Sequence, residues 1–509
     1  MNYVIGADIG TTSTKAVLYD QTGTVLEYAN VGYPLYQTEP DMAEQDVEEI
    51  FEAVVDALTQ VTRRAAIDPK DIKGVSFSAA MHSLIVLDEE KKPLTRSITW
   101  ADNRAAKYSE QLKASGLGQK IYEKTGTPIH PMAPLSKIIW LRTEKPELFA
   151  QARYFIGIKE YVLYKLFGEL KIDQSIASAT GLFNIFTLDW EPEALKVAGI
   201  TAAQLPEVVS TSYQFHGLKH AYAEVTGLPE EIAFVIGASD GVLSNLGVNA
   251  VEEGVLALTI GTSGAIRQVV NQPATDPKGR LFCYVLAEDR WVIGGPVNNG
   301  GIVFRWVRDQ LFTPEKETAA QMKVDSYDLL TNMAEKIPAG SDGLIFLPYL
   351  GGERAPLWDA NARGTFFGLN RSHTRAHMLR AALEGIVFNL YTVLLALEEV
   401  TGSPKSIQAT GGFARSSLWR QMLADIFERE VTIPESFESS CLGAAVLGMK
   451  SLGLIDDLTA VKEMVGVTKT HQPNEENYAA YRDLLPIFIR LSRTLSQEYK
   501  AIAEYQRNH

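Results

Sequence analysis

The most constraining feature of this sequence is a glycine- and threonine-rich turn that occurs twice. The first copy, Asp8-Ile-Gly-Thr-Thr-Ser-Thr-Lys15, lies between two apolar segments that extend from Tyr3 to Asp20. Such a pattern predicts a strand, a tight turn and a returning strand. The second copy, Thr259-Ile-Gly-Thr-Ser263, follows about 250 residues later. A repeat of this length predicts two similar halves rather than a solenoid, whose period is roughly 20–50 residues.

The residue types of the first turn are those that bind phosphate. Gly10 carries no Cβ, so a ligand can approach the backbone closely, and Thr11, Thr12 and Ser13 place hydroxyls beside the turn amides. Asp8 ends the strand, where one carboxylate suits a magnesium ion that keeps several of its waters. An ordinary hairpin explains either turn alone. Two such turns, of which only the first follows an acidic residue, predict a nucleotide clamp with the metal on one side.

Charge and cysteine content argue against several classes of function. The chain has 509 residues, a formal net charge of −14 and two cysteines. The length predicts two to four domains, and the negative charge argues against a nucleic-acid or anionic-membrane surface. Two cysteines far apart form neither a disulfide framework nor a metal site. The longest apolar segment, residues 385–397, is too short to span a bilayer and no export signal is recognisable, so we expect a cytoplasmic enzyme.

Several polar residues follow predicted strands, where open α/β sheets bind their ligands. Met81 and His82 follow a buried strand, Lys159 follows another, and Asp240 comes after a third that ends at Gly237. The alternative explanations are a core histidine for His82, a solvated lysine for Lys159 and a helix cap for Asp240.

Asp102 and residues 173–184 each have a structural explanation as well as a functional one. Asp102 is either the cap of the helix that follows it or a substrate contact, and helix starts also bind polar ligands. Residues 173–184 are rich in Ser, Ala and Thr and predict a surface loop that admits a ligand or another domain.

The second half contains two glycine pairs at the ends of predicted strands. Gly300 and Gly301 open an amphipathic helix, and Gly411 and Gly412 precede a helix that begins at Ser416. Paired glycines let a flat ring such as adenine lie against the backbone. Residues 374–400 predict a long buried helix. The chain has no P-loop, dinucleotide fingerprint or zinc spacing, so a nucleotide site would be of the two-turn kind.

Segments 8–15, 237–241, 260–264 and 410–416 together resemble the FGGY family of carbohydrate kinases. Segments 132–140 and 368–384 look like the two signatures of that family. The resemblance implies an α/β fold of two ribonuclease-H-like, actin-like ATPase domains with an interdomain cleft. It implies an N-terminal domain over residues 1–247, a C-terminal domain over residues 248–509, and ATP and Mg²⁺ as cofactors.

The resemblance also implies roles for individual residues. Asp240 matches the catalytic base of the family and Asp8 its magnesium-associated acid. The implied phosphate and nucleotide contacts are Thr11, Thr12, Ser13, Lys15, Gly261, Thr262, Gly300, Gly301, Gly411, Gly412 and Ser416. The implied sugar contacts are Met81, His82, Trp100, Asp102, Arg104, Lys159 and Asp240. Lys15 stands where some relatives have arginine.

Within the family, segments 76–83, 99–104, 125–132 and 237–249 look like the gluconate kinase branch. This implies phosphorylation of D-gluconate to 6-phospho-D-gluconate. The acid group of such a sugar needs a cation, and Lys159, Arg104 and His130 are the alternatives. We therefore expect a small sugar acid as partner, with no nucleic acid and no membrane, and the resemblance is compatible with a homodimer.

Three other functions stay open at this point. Met81-His82 matches the pair that contacts sugar in xylulose kinases, so a xylulokinase or another polyol kinase is the alternative within the family. An actin-like conformational protein would share the two turns but need no small acceptor. An inactive sugar-binding regulator is disfavoured, because all the expected acids and turn residues are present.

Overall fold

The computed structural model describes residues 2–436 and 438–509. The chain forms two units, the first of which comprises Met1–Glu253, Val269–Ile293 and Glu435–Gly466. The second comprises Gly254–Gln268, Gly294–Pro434 and Val467–His509. Each unit is therefore built from separated stretches of chain.

Strands and helices alternate along the chain, as in an α/β protein. The strands are β1 (Tyr3–Ile9), β2 (Ser13–Asp20), β3 (Val25–Gly32), β4 (Glu44–Gln45), β5 (Ile72–Ala79), β6 (Ile85–Leu87), β7 (Ser97–Ile98), β8 (Tyr154–Ile156), β9 (Lys171–Asp173), β10 (Phe183–Asn184), β11 (Asp189–Trp190), β12 (Glu207–Val209), β13 (Gln214–Phe215), β14 (Ala233–Ser239), β15 (Val255–Ile260), β16 (Gly264–Val270), β17 (Phe282–Ala287), β18 (Arg290–Val297), β19 (Ile345–Leu347), β20 (Thr365–Phe367), β21 (Ser406–Thr410), β22 (Val431–Glu435) and β23 (Gly466–His471). The α-helices are α1 (Val47–Arg64), α2 (Ala106–Ala114), α3 (Leu117–Thr125), α4 (Pro134–Glu144), α5 (Pro146–Gln151), α6 (Ile158–Phe167), α7 (Gln174–Ser178), α8 (Pro192–Ala198), α9 (His220–Thr226), α10 (Asp240–Leu246), α11 (Gly301–Trp306), α12 (Thr313–Met322), α13 (Ser326–Glu335), α14 (Arg375–Thr401), α15 (Ser417–Phe427), α16 (Ser439–Ser451), α17 (Glu475–Thr494) and α18 (Ser496–Asn508). Single turns of 3₁₀ or π helix occupy Pro69–Asp71, Ala202–Gln204, Val307–Leu311, Ser341–Gly343, Gly412–Arg415 and Leu458–Glu463.

The first unit is organised around a six-stranded sheet in the order β13-β14-β5-β1-β2-β3. Strand β1 runs antiparallel to β2, which runs antiparallel to β3, so the first glycine-threonine turn is a hairpin. Strands β5 and β14 run parallel to β1. The carboxyl ends of β1, β5 and β14 consequently lie at one edge of the sheet.

Helix α1 shows how this sheet is covered. The Asp46 side chain caps the helix by accepting hydrogen bonds from the backbone N–H groups of Glu48 and Glu49. Acidic residues occupy its first turn and Arg63 and Arg64 its last, which suits the helix dipole. Its apolar face is buried with Ile5, Ile9 and other sheet residues in one core cluster. The buried positions Ile50, Val54 and Leu58 recur at helical spacing, as expected of an amphipathic helix on a sheet.

The second unit repeats this plan around the second turn. Strand β15 runs antiparallel to β16, which forms the hairpin, and parallel to β21. The sheet to which these strands belong has the order β17-β18-β16-β15-β21-β22-β23. The antiparallel hairpin followed by a parallel strand is thus common to both units, as the internal repeat predicted.

Helix α14 confirms the long buried helix of the second half. It is the one helix within the described residues that is long and apolar enough to cross a membrane, and 78% of its apolar window is buried in the protein. A core helix has the same properties.

Residues 173–184 differ from the predicted surface loop. They form β9's last residue, the short helix α7 and β10, and Asp173, Ser175 and Ser178 are fully buried. The small side chains permit close packing, and the buried Ser175 hydroxyl contacts the Ser239 hydroxyl at 3.2 Å. Small polar residues were therefore misread as a sign of exposure.

Candidate active site

Two acidic residues lie at the carboxyl edge of the parallel strands of the first unit. Asp8, near the end of β1, and Ala238, near the end of β14, are both paired with Ser78 of the intervening strand β5. Asp240 follows β14 directly as the first residue of α10. Ligands of α/β sheets bind at such an edge. The register therefore brings both predicted acids to the same edge of one sheet.

Asp8 is held by a neighbouring strand. The Ser78 hydroxyl donates a hydrogen bond of 2.6 Å to Asp8 Oδ1. Burial raises the pKa of Asp8 above the ordinary aspartate value, while the Ser78 hydrogen bond and the charge of Lys15 act in the opposite direction. A carboxylate that is partly desolvated gains from a cation placed beside it. The predicted phosphate contact Lys15 instead forms an ion pair of 2.6 Å with Glu438.

The first turn is braced through its carbonyl groups. The backbone N–H of Gly10 donates to the Ser13 carbonyl at 3.0 Å, which closes the hairpin. The Tyr33 hydroxyl donates to the Gly10 carbonyl, and the Tyr33 backbone N–H donates to the Thr12 carbonyl. Thr12 is exposed at the tip, whereas Thr11 and Ser13 are half-buried.

Trp100 reaches this turn from another loop. Its indole N–H donates a 2.9 Å hydrogen bond to the Thr11 hydroxyl. The predicted sugar contact Trp100 and the predicted phosphate contact Thr11 are therefore in direct contact.

Asp240 is followed by Gly241, against which Met81 packs. The backbone N–H of Gly241 donates to Asp240 Oδ1 at 2.6 Å. A Cβ on Gly241 would lie 2.9 Å from Met81 Cε, so the methionine side chain packs against the start of α10. Gly237, with φ of 69°, allows β14 to bend before the acid, because a Cβ there would lie 1.8 Å from the Phe77 carbonyl oxygen.

His82 is buried and adopts an unusual backbone conformation. It is 7% exposed, and its Nδ1 lies 2.7 Å from the Ala179 carbonyl oxygen. Its φ is 69°, a left-handed value that few non-glycine residues adopt and that occurs at functional sites. The ring therefore has the backbone partner expected of a core histidine. The strained backbone conformation lies in the same loop as Met81, the residue before it.

Asp102 and Arg104 form an ion pair. Arg104 Nη2 lies 2.7 Å from Asp102 and 2.5 Å from Glu44, and the guanidinium lies over the Trp140 ring. Asp102 is 1% exposed. Interpreting Asp102 as a helix cap was wrong, because α2 begins four residues later, at Ala106, and has Ala105 at its N-cap.

The remaining predicted cations differ in their surroundings. Lys159 is the second residue of α6 rather than a strand end, and its Nζ pairs with Asp173 at 2.6 Å in a fully buried position. His130 lies in the loop before α4, where its Nδ1 is 3.2 Å from the backbone N–H of Met132. The Lys159 charge is thus matched inside the protein.

The second unit brings its predicted nucleotide residues together. Gly261 follows β15, Gly411 follows the parallel strand β21, and the pairing Thr259–Thr410 places both at one sheet edge. The backbone N–H of Gly301 donates to the Gly261 carbonyl at 2.7 Å. Ser416 is the N-cap of α15 and its hydroxyl accepts from the Trp419 backbone N–H. Thr262 is exposed at the tip of its turn, as Thr12 is in the first unit.

The glycines of these two pairs differ in how much space there is for a Cβ. A Cβ on Gly300 would lie 2.5 Å from the Ser263 carbonyl oxygen, and one on Gly411 would lie 2.2 Å from the Ile260 carbonyl oxygen. A Cβ on Gly412 would meet nothing within 4 Å. The exposed Gly412 therefore offers open space beside the backbone.

Several residues that support the site were not predicted as site residues. Each acts through another residue: Ser78 donates to Asp8, Tyr33 to the Gly10 carbonyl, Lys137 to the His82 and Thr99 carbonyls, and Glu353 accepts from Asn299. Lys137 carried two signals, since it lies in the signature-like segment 132–140 and is a charged residue within an otherwise apolar stretch. Ser78 became visible only through the register of β5.

The donor set around Asp8 fits magnesium better than a metal bound by protein alone. Within the described residues no group of three or more His, Cys, Asp or Glu side chains converges on one point. Magnesium commonly takes one or two carboxylates and completes its shell with water and substrate phosphates. One partly buried carboxylate beside the turn that the sequence predicts to bind phosphate meets this requirement.

Two units that each carry a glycine-threonine hairpin beside parallel strands define a protein of the actin-like ATPase type. Residues 3–247 match the model of the FGGY family of carbohydrate kinases, N-terminal domain, and residues 256–452 match that of its C-terminal domain. The chain belongs to the FGGY family of carbohydrate kinases. The fold class and the family expected from the sequence are therefore confirmed, and the protein is a carbohydrate kinase, for which ATP is the implied co-substrate.

Gluconate and xylulose kinases align with this chain over nearly its full length. A gluconokinase of Bacillus subtilis is 54% identical over 99% of this chain and 98% of its own, and a xylulose kinase of the same organism is 28% identical over the whole of both chains. Two solved structures from Lactobacillus acidophilus are each 42% identical. One, described as ligand-bound xylulose kinase, has a TM-score of 0.94 over 99% of this chain and 100% of its own. The other, described as gluconate kinase, has a TM-score of 0.93 over 98% and 99%.

Proposed function

We propose that this kinase transfers the γ-phosphoryl group of ATP to the terminal hydroxyl of D-gluconate, giving 6-phospho-D-gluconate and ADP. The observation that carries the proposal is the full-length identity to a gluconokinase, about twice that to a xylulose kinase. The arrangement of two acids at one parallel-strand edge supports a transfer that uses a base and a metal-associated acid.

Asp240 is the proposed general base. It accepts the proton of the sugar hydroxyl while the hydroxyl oxygen forms a bond to the γ-phosphorus. The bond between that phosphorus and the β–γ bridging oxygen breaks, and ADP leaves with the electron pair. Kinases achieve this chemistry mainly by positioning the reactants and stabilising the charge on the transferred group. The position of Asp240, at the end of β14 and before Gly241, against which Met81 packs, supports the assignment.

The two turns are the proposed phosphate contacts. The hydroxyls of Thr11, Thr12, Ser13 and Thr262 and the turn amides would donate to the phosphate oxygens. Asp8 and the phosphates would hold magnesium, which neutralises phosphate charge when it is bound. The exposed Gly412 and the capped start of α15 are the proposed surroundings of the adenine ring.

A pentulose is the second candidate acceptor. It is favoured by the solved structure at 42% identity that is described as a xylulose kinase. Both sugars present a terminal primary hydroxyl, but only gluconate carries a carboxylate that requires a cation or amides.

One assay separates these functions. ADP release is measured with D-gluconate, D-xylulose, D-ribulose and glycerol in parallel, and without any acceptor. We expect the highest kcat/KM with gluconate and little ATP hydrolysis without sugar. A higher kcat/KM with xylulose would refute gluconate as the substrate, and full ATP turnover without an acceptor would refute the kinase assignment in favour of a nucleotide-driven conformational protein.

A further inference from the structure

Lys137 is buried in the first unit next to the proposed sugar contacts. It lies on α4 between Ser136 and Ile138 and is 0% exposed. Lysine is almost never fully buried unless its charge is satisfied. Its surroundings therefore need an explanation.

The Lys137 ammonium is satisfied by three backbone carbonyl groups. Its Nζ donates to the carbonyl oxygens of His82 at 2.6 Å, Thr99 at 2.7 Å and Ile98 at 3.2 Å. An ammonium has three N–H donors and no acceptor, so these three bonds use its full capacity. Lys137 therefore joins the loop after β5 to the end of β7.

Both joined loops carry predicted sugar contacts. Met81 and His82 lie in the first, while Trp100 directly follows Thr99 in the second. Trp100 in turn donates to the Thr11 hydroxyl of the first phosphate turn. A single ammonium thus connects, through the backbone, the two loops that carry the proposed sugar contacts, whereas the first phosphate turn keeps its own hydrogen bonds to Ser13 and Tyr33.

The His82 backbone is the part that most needs such a contact. A non-glycine residue at φ of 69° costs free energy and persists only where its surroundings fix it. The Lys137 ammonium holds the carbonyl of this same residue. Loss of the ammonium would therefore allow the loop that carries Met81 to relax.

The charges that face Lys137 are close to balanced. Burial lowers the pKa of Lys137 to about 7, with Asp102 raising it and Arg104 lowering it. Asp102 and Arg104 pair with each other at 2.7 Å. A lysine held by carbonyl dipoles in such a place is costly to keep charged, which fits a role in positioning better than a role in simple packing.

We propose that Lys137 is a positioning residue that fixes the loop of Met81 and His82 relative to the loop of Trp100, and so sets the geometry of the sugar site. The inference rests on the proposed function, because it takes these loops as sugar contacts. Lys137 itself touches neither substrate in this account.

The test compares two variants of Lys137 with a control on the same helix. Lys137→Met removes all three donors at similar volume, and Lys137→Gln retains an amide with two N–H groups. Arg142→Met is the control, because Arg142 also lies on α4 and donates to a backbone carbonyl, that of Val197 in α8. For each full-length protein, kcat and KM are measured for the best acceptor of the wild-type panel and for ATP, together with the melting temperature.

We expect Lys137→Met to lower kcat/KM for the sugar about 10²-fold, the size of effect that misplaced binding groups produce. KM for ATP and the slow hydrolysis of ATP without sugar should stay within about threefold of wild type, because the phosphate turns are closed by their own hydrogen bonds. Lys137→Gln should fall between wild type and Lys137→Met. Arg142→Met should lower the melting temperature without a selective effect on the sugar.

Three outcomes would overturn the inference. The first is a kcat/KM for sugar in Lys137→Met that equals that of Arg142→Met. The second is an equal loss for sugar and ATP. The third is failure of both Lys137 variants to fold, which would assign Lys137 to the fold alone. A wild type that prefers xylulose refutes only the proposed substrate, since the variants are then compared with that sugar, whereas a wild type that phosphorylates no acceptor refutes both.

Discussion

Substitution of alanine for the adjacent glycines Gly411 and Gly412 should impair two different properties of the protein. Gly411 has φ of 111°, and a Cβ there would lie 2.2 Å from the Ile260 carbonyl oxygen. Gly412 has open space on its Cβ side. We therefore expect Gly411→Ala to affect folding and Gly412→Ala to affect nucleotide binding.

The magnitude for Gly411→Ala follows from strain and overpacking. A residue forced into a conformation available mainly to glycine costs about 1–3 kcal/mol, and a methyl group forced into packed backbone costs about 1–3 kcal/mol more. For a unit of this size each kcal/mol lowers the melting temperature by roughly 2–4 °C. Together these cost about 2–6 kcal/mol, so we expect the melting temperature to fall by about 4–24 °C in a thermal-shift assay.

The Gly412→Ala variant should fold normally, because its methyl group meets no protein atom. If the open space holds the adenine ring, the methyl group displaces the ring at a cost of about 1–3 kcal/mol, which corresponds to a rise in KM for ATP of about tenfold or more. KM for gluconate, measured at saturating ATP, is the internal control and should stay within about threefold. The reasoning is refuted if Gly411→Ala melts as wild type does, or if Gly412→Ala keeps the wild-type KM for ATP.

Two further substitutions test residues that act through others. Ser78→Ala removes the 2.6 Å hydrogen bond to Asp8. Residues that hold a metal-binding side chain in place contribute about 10–100-fold to metal affinity. We therefore expect the Mg²⁺ concentration for half-maximal activity to rise about tenfold. A Mg²⁺ titration identical to that of wild type would contradict this. Glu353 is a buried carboxylate that accepts from Asn298 N, Asn299 Nδ2 and Asn389 Nδ2. Glu353→Gln places amide hydrogens against these donors and should lower the free energy of unfolding in urea by roughly 1–3 kcal/mol. It should also raise KM for ATP, because Asn299 directly precedes the proposed nucleotide contact Gly300. An unchanged unfolding midpoint would show that the network has no such role.

The sequence predicted the parts of the fold that depend on local pattern. The two hairpins around Gly10 and Gly261 and the long helix α14 follow from turn chemistry and apolar composition, and all are present. The buried segment 173–184 was missed, because small polar residues suit a surface loop and a close-packed interior equally well.

The sequence predicted candidate site residues but not the contacts that surround them. Asp8, Asp240 and the glycine pairs were found from their position after strands. The pairing of Lys15 with Glu438 and of Lys159 with Asp173 joins residues that are distant in sequence, so no local signal indicated that these charges were matched. For the same reason the support that Lys137 gives to His82 and Thr99 became apparent only in three dimensions.

The central claim is that Asp240 removes the proton from the sugar hydroxyl. Because Gly241 follows, the Asp240→Asn variant is able to deamidate back to aspartate, so Asp240→Ala is measured beside it. Loss of a general base lowers kcat by about 10²–10⁴, while KM for gluconate and for ATP should stay close to wild type. Turnover of both variants within about tenfold of wild type, a loss too small for a general base, would contradict the account.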